Sequence, residues 1–155
     1  MRQTRPLVYA AHPMTTYGST LEHSRLRAIR DLLPGAEIIN PAERYDTGAQ
    51  WLEDWPVLVR RLHGLVVFGD TQSSIGAGCL REMADAWAMC VPVAMIDSSL
   101  KPCRVSKLSI EIGLLPSPSR TAVLAGGESV ELSKHFRLPA PTLHLVQPEK
   151  RRQHD

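Results

Sequence analysis

Apolar residues in this chain fall into short continuous runs, separated by stretches with helical periodicity. Leu7–Ala11 is the first run and reads as a buried strand. From Ser19 to about Leu33 the spacing predicts a helix. Leu26, Ile29 and Leu33 recur on one face, with Arg25, Arg27 and Arg30 between them. Ser19 and Glu22 form an S-x-x-E capping box, which satisfies two orphan amides, and Pro34-Gly35 stops the helix. Ala36–Asn40 predicts a second strand, ended by Pro41, and a polar loop follows from Ala42 to Gln50. A second helix is expected over roughly Trp55 to His63, with Asp54 as its cap and Pro56 tolerated in its first turn. Leu65–Phe68 is apolar throughout, as a strand covered on both faces should be. A loop rich in Ser and Gly leads into a third helix over about Ala77 to Cys90, and Pro92–Ile96 gives a fourth strand ending at Asp97.

Strand and helix alternating in this rhythm predict βαβ units and a parallel sheet. Right-handed crossovers make that an α/β, doubly wound, Rossmann- or flavodoxin-like three-layer fold. Ligands in such sheets bind at the carboxyl ends of the strands. Here those ends are His12-Pro13, Asn40-Pro41, Gly69-Asp70 and Asp97-Ser98, all carrying polar residues. The last third is less regular. Val105–Gly113 is a candidate helix, Thr121–Leu124 and Thr142–Val146 are candidate strands, and Pro116, Pro118, Pro139 and Pro141 mark loops.

Composition narrows the class. The 155 residues fit one domain large enough to bury a core without disulfide or metal staples. A net charge of +2 is too small to argue for nucleic acid or an acidic membrane. The three cysteines, Cys79, Cys90 and Cys103, lack metal-ligand spacing and are odd in number, which fits reduced thiols and a cytoplasmic protein. Leu7–Ala11 is too short for a signal-peptide core or a membrane span.

Candidate chemistry concentrates between Thr71 and Glu82. This segment follows an apolar strand and opens a helix, so Gly76 and Gly78 let backbone approach a ligand and the helix start offers free amides. Ser73 and Ser74 add hydroxyls. The segment lacks the full G-x-G-x-x-G spacing and a Walker lysine. Glu82 is expected to point away from the helical face made by Leu80, Ala84 and Trp87. It reads either as a solvated residue near a helix start or as a carboxylate nucleophile held ionised by the helix dipole. A carboxylate that attacks an anomeric carbon needs a second group to protonate the leaving base. His12 is open between ligand contact and a structural histidine, and Asp54 is explained equally by helix capping. Trp51, Trp55 and Trp87 fit a core or an interface better than a stacking platform.

Val8-Tyr9-Ala10-Ala11-His12-Pro13, then Asn40-Pro41, Asp54 ahead of Leu65-Val66-Val67, Gly78-x-x-x-Glu82-x-x-x-Ala86 and Pro92-Val93 occur in an order that resembles the nucleoside 2-deoxyribosyltransferase-like superfamily, in particular its small branch with an A-H-P opening. The resemblance covers about residues 7 to 97. It implies a flavodoxin-like sheet, a homodimer or higher homo-oligomer in which a neighbour completes each site, and no cofactor or metal. It also implies Glu82 as nucleophile and Asp54 as the contact to sugar hydroxyls or the acid/base partner. Tyr17 is then the tyrosine that touches the nucleophile or the ligand, with His12 as its rival. Ser73, Ser74, Gly76 and Gly78 would hold a 5′-phosphate. The sequence departs from the family pattern in having His12-Pro13 where Gly-Pro is usual and in lacking an Asp-x-Gly-Thr loop before the glutamate.

Two functions follow as expectations. One is cleavage or exchange of the N-glycosidic bond of a nucleoside or nucleoside 5′-monophosphate. The other is a non-catalytic nucleotide-binding module of the same fold. A flavin-binding protein is a weaker third, because His12–Ser19 supplies hydroxyls but is badly placed for a flavin phosphate.

Overall fold

A computed structural model describes residues 4–114 and 118–139 of the chain. Strand β1 (Leu7–Ala11) matches the first apolar run, and helix α1 (Thr20–Leu32) follows a short 3-10 turn at Met14–Thr16. Strand β2 (Glu37–Ile39) is shorter than the run that predicts it. The expected polar loop of residues 42–50 is instead largely helical. Helix α2 (Pro41–Arg44) is capped by the Asn40 side chain, and helix α3 (Gly48–Leu58) by Thr47. Asp54 therefore caps nothing, and Pro56 sits in the last turn of α3. There it removes the helical bond to the Leu52 carbonyl, two residues before α3 ends and passes into a 3-10 turn at Val59–Arg61.

Strand β3 (Gly64–Val67) leads through a turn to a short strand β4 (Ser74–Gly76) and helix α4 (Ala77–Ala88), then strand β5 (Val93–Ile96). Beyond it, Val105–Gly113 is strand and not the candidate helix. Strands β6 (Pro102–Leu114) and β7 (Pro118–Ser129) form a long hairpin, and α5 (Leu132–His135) closes the described chain. Lys107, Ser109, Glu111 and Gly113 alternate with Leu108, Ile110 and Ile112, a period of two that suits a pleated strand. Leu108 packs on the core, whereas Ile110 and Ile112 stay exposed. Thr142–Val146 lies outside the described residues.

The seven described strands form one mixed sheet in the order β2-β1-β3-β5-β6-β7-β4. β2, β1, β3 and β5 are parallel, and β6, β7 and β4 add antiparallel. The period of two divides the parallel strands between two cores. Tyr9, Ala11, Leu65, Val67 and Met95 face Trp55, Leu58, Met83 and Ala86 of α3 and α4. Val8, Ala10, Val66, Phe68 and Ala94 face Leu26 and Ile29 of α1 and Phe136 beside α5. Helices thus cover both faces of the sheet. No described helix is long and apolar enough to cross a membrane.

β4 sits at the far edge of the sheet, yet it follows β3 after only a tight turn. The Ser73 amide donates to the Asp70 carbonyl at 2.9 Å and the Leu124 amide to the Ser73 carbonyl at 2.8 Å. The hairpin consequently curls back over the carboxyl end of the parallel sheet. A Cβ on Gly69 would lie 2.4 Å from the Ser73 backbone, so the turn can close only around glycine.

Candidate active site

A cavity of about 660 Å³ opens where the carboxyl ends of β1, β2 and β3 meet α4 and the curled hairpin. His12-Pro13, Pro41 and Asp70 line it, so three of the four expected strand ends converge, as ligand sites in parallel sheets do. The fourth does not take part: Asp97 closes its own turn by accepting the amides of Ser99 and Lys101.

Glu82 forms the floor. The buried face of α4 is Cys79, Glu82, Met83 and Ala86, whereas Ala84 and Trp87 are exposed. The face expected from sequence is therefore reversed. That expectation follows Trp87, whose apolar character does not report the direction of the core; of its three members only Leu80 packs against the core. Glu82 retains only 5% of its exposure. Burial pushes its carboxyl from the ordinary 4.5 up to about 7, against stabilisation of the charge by Tyr9 and Trp51, and Asp85 raises it further. The expected firmly ionised carboxylate is corrected to one poised near neutrality, because desolvation outweighs what favours the charge.

Three aromatic residues surround it. The Trp51 Nε1–H donates to Glu82 Oε2 at 3.1 Å. The fully buried Tyr9 hydroxyl has no hydrogen-bond partner of good geometry, yet it lies close enough to Glu82 to interact with its charge. Tyr17 lines the cavity as expected, and burial and the Glu82 charge raise the pKa of its hydroxyl. Sequence reasoning missed Tyr9 and Trp51 as site residues. Tyr9 reads as one more apolar member of a strand, and Trp51 precedes the helix expected from sequence. Only the earlier start of α3, signalled by Thr47 as a possible cap, brings Trp51 over the cavity.

The other expected site residues divide. Ser74, Gly76 and Gly78 line the cavity, and no side chain caps α4, so its first amides are free of side-chain partners. A Cβ on Gly76 or Gly78 would meet open space, which makes these glycines clearance for a ligand. Ser73 is not among the lining residues; its backbone is left-handed, with φ 59°, and serves the turn. Asp54 does not line the cavity either. It accepts from Arg44 at 2.8 Å and from the Tyr45 hydroxyl at 2.6 Å, and it is Tyr45 that reaches the cavity. These two donors hold the Asp54 carboxyl below its ordinary range.

His12 borders the cavity but engages both ring nitrogens within the protein. Nδ1 lies 2.8 Å from the Ala10 carbonyl, and Nε2 lies 2.8 Å from Glu22 Oε2. Its ring stacks on Phe68 and meets Tyr17 edge-on. The capping box is accordingly half formed. Ser19 accepts the Glu22 amide, but the Glu22 carboxylate turns to His12 and to the Gly18 amide, not to the amide of Ser19.

The chain matches no protein-family model and no curated protein sequence.

Proposed function

We propose that this chain cleaves or exchanges the N-glycosidic bond of a nucleoside or nucleotide, with Glu82 as the nucleophile. The observation that carries the reading is a buried carboxyl poised near pH 7 at the floor of a cavity large enough for a nucleoside, with an indole N–H on one of its oxygens. Oε2 is held by Trp51, which leaves Oε1 for attack at C1′. The C1′–N bond breaks with its electron pair going to the base, and a glycosyl ester forms on Glu82. Water or a second base then attacks C1′ and releases the carboxylate. Tyr9, whose hydroxyl keeps its proton beside Glu82, favours the charged carboxylate, and Tyr17 borders the same cavity. The order β2-β1-β3-β5 of the parallel strands supports a doubly wound, flavodoxin-like sheet and with it the resemblance on which the reading also draws. The same resemblance makes the working unit a homodimer or higher oligomer and calls for no metal or redox cofactor.

Incubation of the purified protein with ribo- and deoxyribonucleosides and their 5′-monophosphates, followed by chromatography for free base, tests this. Release by the wild type that is lost in Glu82→Gln is expected. Nucleotide binding by the wild type with no base release from any member would overturn the reading in favour of a binding module.

A further inference from the structure

The N-glycosidic reading leaves one chemical demand unmet. A neutral base departs as an anion unless something protonates it, and a positioned general acid is worth about 10²–10⁴ in rate. Among the described residues, no carboxyl or imidazole beside Glu82 on the cavity floor is free for this. Tyr9 and Tyr17 hold their protons more tightly than ordinary phenols. His12 has both nitrogens engaged. Asp70 accepts the amides of Gln72 and Ser74 through Oδ1, and Glu82 is already the nucleophile. Asp46 is an exposed side chain at the rim.

The lining has a second property. Aromatic rings of Tyr17, Tyr45 and Trp51 border the cavity together with the carboxyl groups of Asp46, Asp70 and Glu82. No lysine or arginine lines it among the described residues. Rings of this kind attract cations through their faces. Arg81 already lies 5.8 Å from the centre of the Trp51 ring and Arg44 5.9 Å from that of Tyr45, although neither lines the cavity.

Resting on the N-glycosidic reading, we propose that the substrate is an N-glycoside whose heteroaromatic base carries a positive charge, of the N-ribosylpyridinium or 7-alkylpurine type. Such a base meets both conditions at once. When a Glu82 oxygen bonds to C1′, the electron pair of the C1′–N bond returns to the ring nitrogen and neutralises it. The base leaves uncharged and requires no proton. Water then adds its oxygen to C1′, its proton passes to solvent, and the ester bond to Glu82 breaks to restore the carboxylate. Before reaction the ring cation is held by aromatic faces and by nearby carboxylates. The positive charge is required of the ring at C1′ alone; the open amides at Gly76–Gly78 leave space for a substrate with or without a 5′-phosphate.

Two measurements on the intact protein test this. The first compares 7-methylguanosine with guanosine, and N-ribosylnicotinamide with and without a 5′-phosphate, each scored as acceleration over its own spontaneous hydrolysis. Acceleration of the cationic members should exceed that of guanosine by about 100-fold or more. Equal acceleration would overturn the charge preference and leave the N-glycosidic reading standing. The second is calorimetric binding of the unreactive pyridinium cation 1-methylnicotinamide against neutral nicotinamide, where about tenfold tighter binding of the cation is expected, weakened in Asp46→Asn. Equal binding of the two overturns the proposal. Cation-selective binding with no turnover of any nucleoside would sustain the charge selectivity and overturn the N-glycosidic reading instead.

Discussion

The indole N–H of Trp51 in α3 donates to Glu82 Oε2 in α4 across 3.1 Å, and so ties the two helices together at the floor of the cavity. A hydrogen bond to a charged group contributes more than one between neutral groups, so the contact favours the ionised carboxylate over the protonated acid. Trp51→Phe keeps the ring and removes the donor. The pKa of the Glu82 carboxyl should then climb from about 7 to roughly tenfold weaker acidity. The acidic limb of the rate profile moves to higher pH by the same amount. Infrared titration of the Glu82 carboxyl in the variant reads this directly, and an unmoved titration would show the contact to be energetically idle.

The same carboxyl makes stability depend on pH. Its folded value of about 7 lies above the ordinary 4.5, so between these limits the folded state binds more protons than the unfolded one. Stability should therefore fall as pH rises from about 4.5 to about 7, and level off above. The full loss approaches about 3 kcal/mol, because each tenfold change in a proton-binding constant corresponds to about 1.4 kcal/mol. Glu82→Gln carries no titrating proton. It should be more stable than the wild type at pH 8 and closer to it at pH 5, as measured by chemical denaturation at both values. A variant destabilised equally at both would show that the carboxylate is not the penalised species.

How much of this was legible in the sequence depends on the element. The parallel strands announce themselves because both faces are buried, so Leu65–Phe68 and Leu7–Ala11 are continuous apolar runs. Helix α1 is marked by its Ser19 cap. The hairpin β6–β7 was obscured because its outer half carries exposed Ile110 and Ile112, and short apolar spacings there fit either period. Glu82 was legible as one of two open readings from its place after the Ser- and Gly-rich loop, and the resemblance favoured the nucleophile. Its burial was not, since Trp87 on the exposed side of α4 makes a misleading apolar stripe with Leu80 and Ala84. Asp54 shows the opposite failure. Its place before Trp55 imitates a cap, while Thr47, seven residues earlier, is the residue that starts the helix.

Glu22 ties together the segment that carries Tyr17. One oxygen lies 2.8 Å from His12 Nε2, and the other accepts the Gly18 amide at 3.3 Å. Both ring nitrogens of His12 face oxygens, so a proton must lie on each line, and loss of either partner strands a buried polar group. Glu22→Ala should cost about 3 kcal/mol, the range for breaking a buried pair. It should also speed hydrogen exchange at the Gly18 amide beyond the global loss. Glu22→Gln, which retains an acceptor, should recover part of both. Denaturation together with amide exchange of the three proteins distinguishes a local clamp from general loosening.

The glycines around the cavity separate fold from function. At Gly69 a Cβ would lie 2.4 Å from the Ser73 backbone, which cannot rotate aside as a side chain can. Gly69→Ala should cost about 1–3 kcal/mol, the range for inserting a methyl where there is no room. At Gly78 the Cβ meets open space within α4, and its backbone is helical. Gly78→Ala should stabilise the protein by up to about 1 kcal/mol through the helix propensity of alanine. Its methyl nevertheless projects where a ligand would approach the first turn of α4. Greater thermal stability combined with weaker nucleoside binding is thus expected for Gly78→Ala, and lower stability for Gly69→Ala. Melting curves and calorimetric titration of both variants supply the test. If Gly78→Ala bound every nucleoside and nucleotide as the wild type does, the first turn of α4 would have no part in holding the ligand, and the site would be confined to the aromatic side around Trp51 and Tyr17.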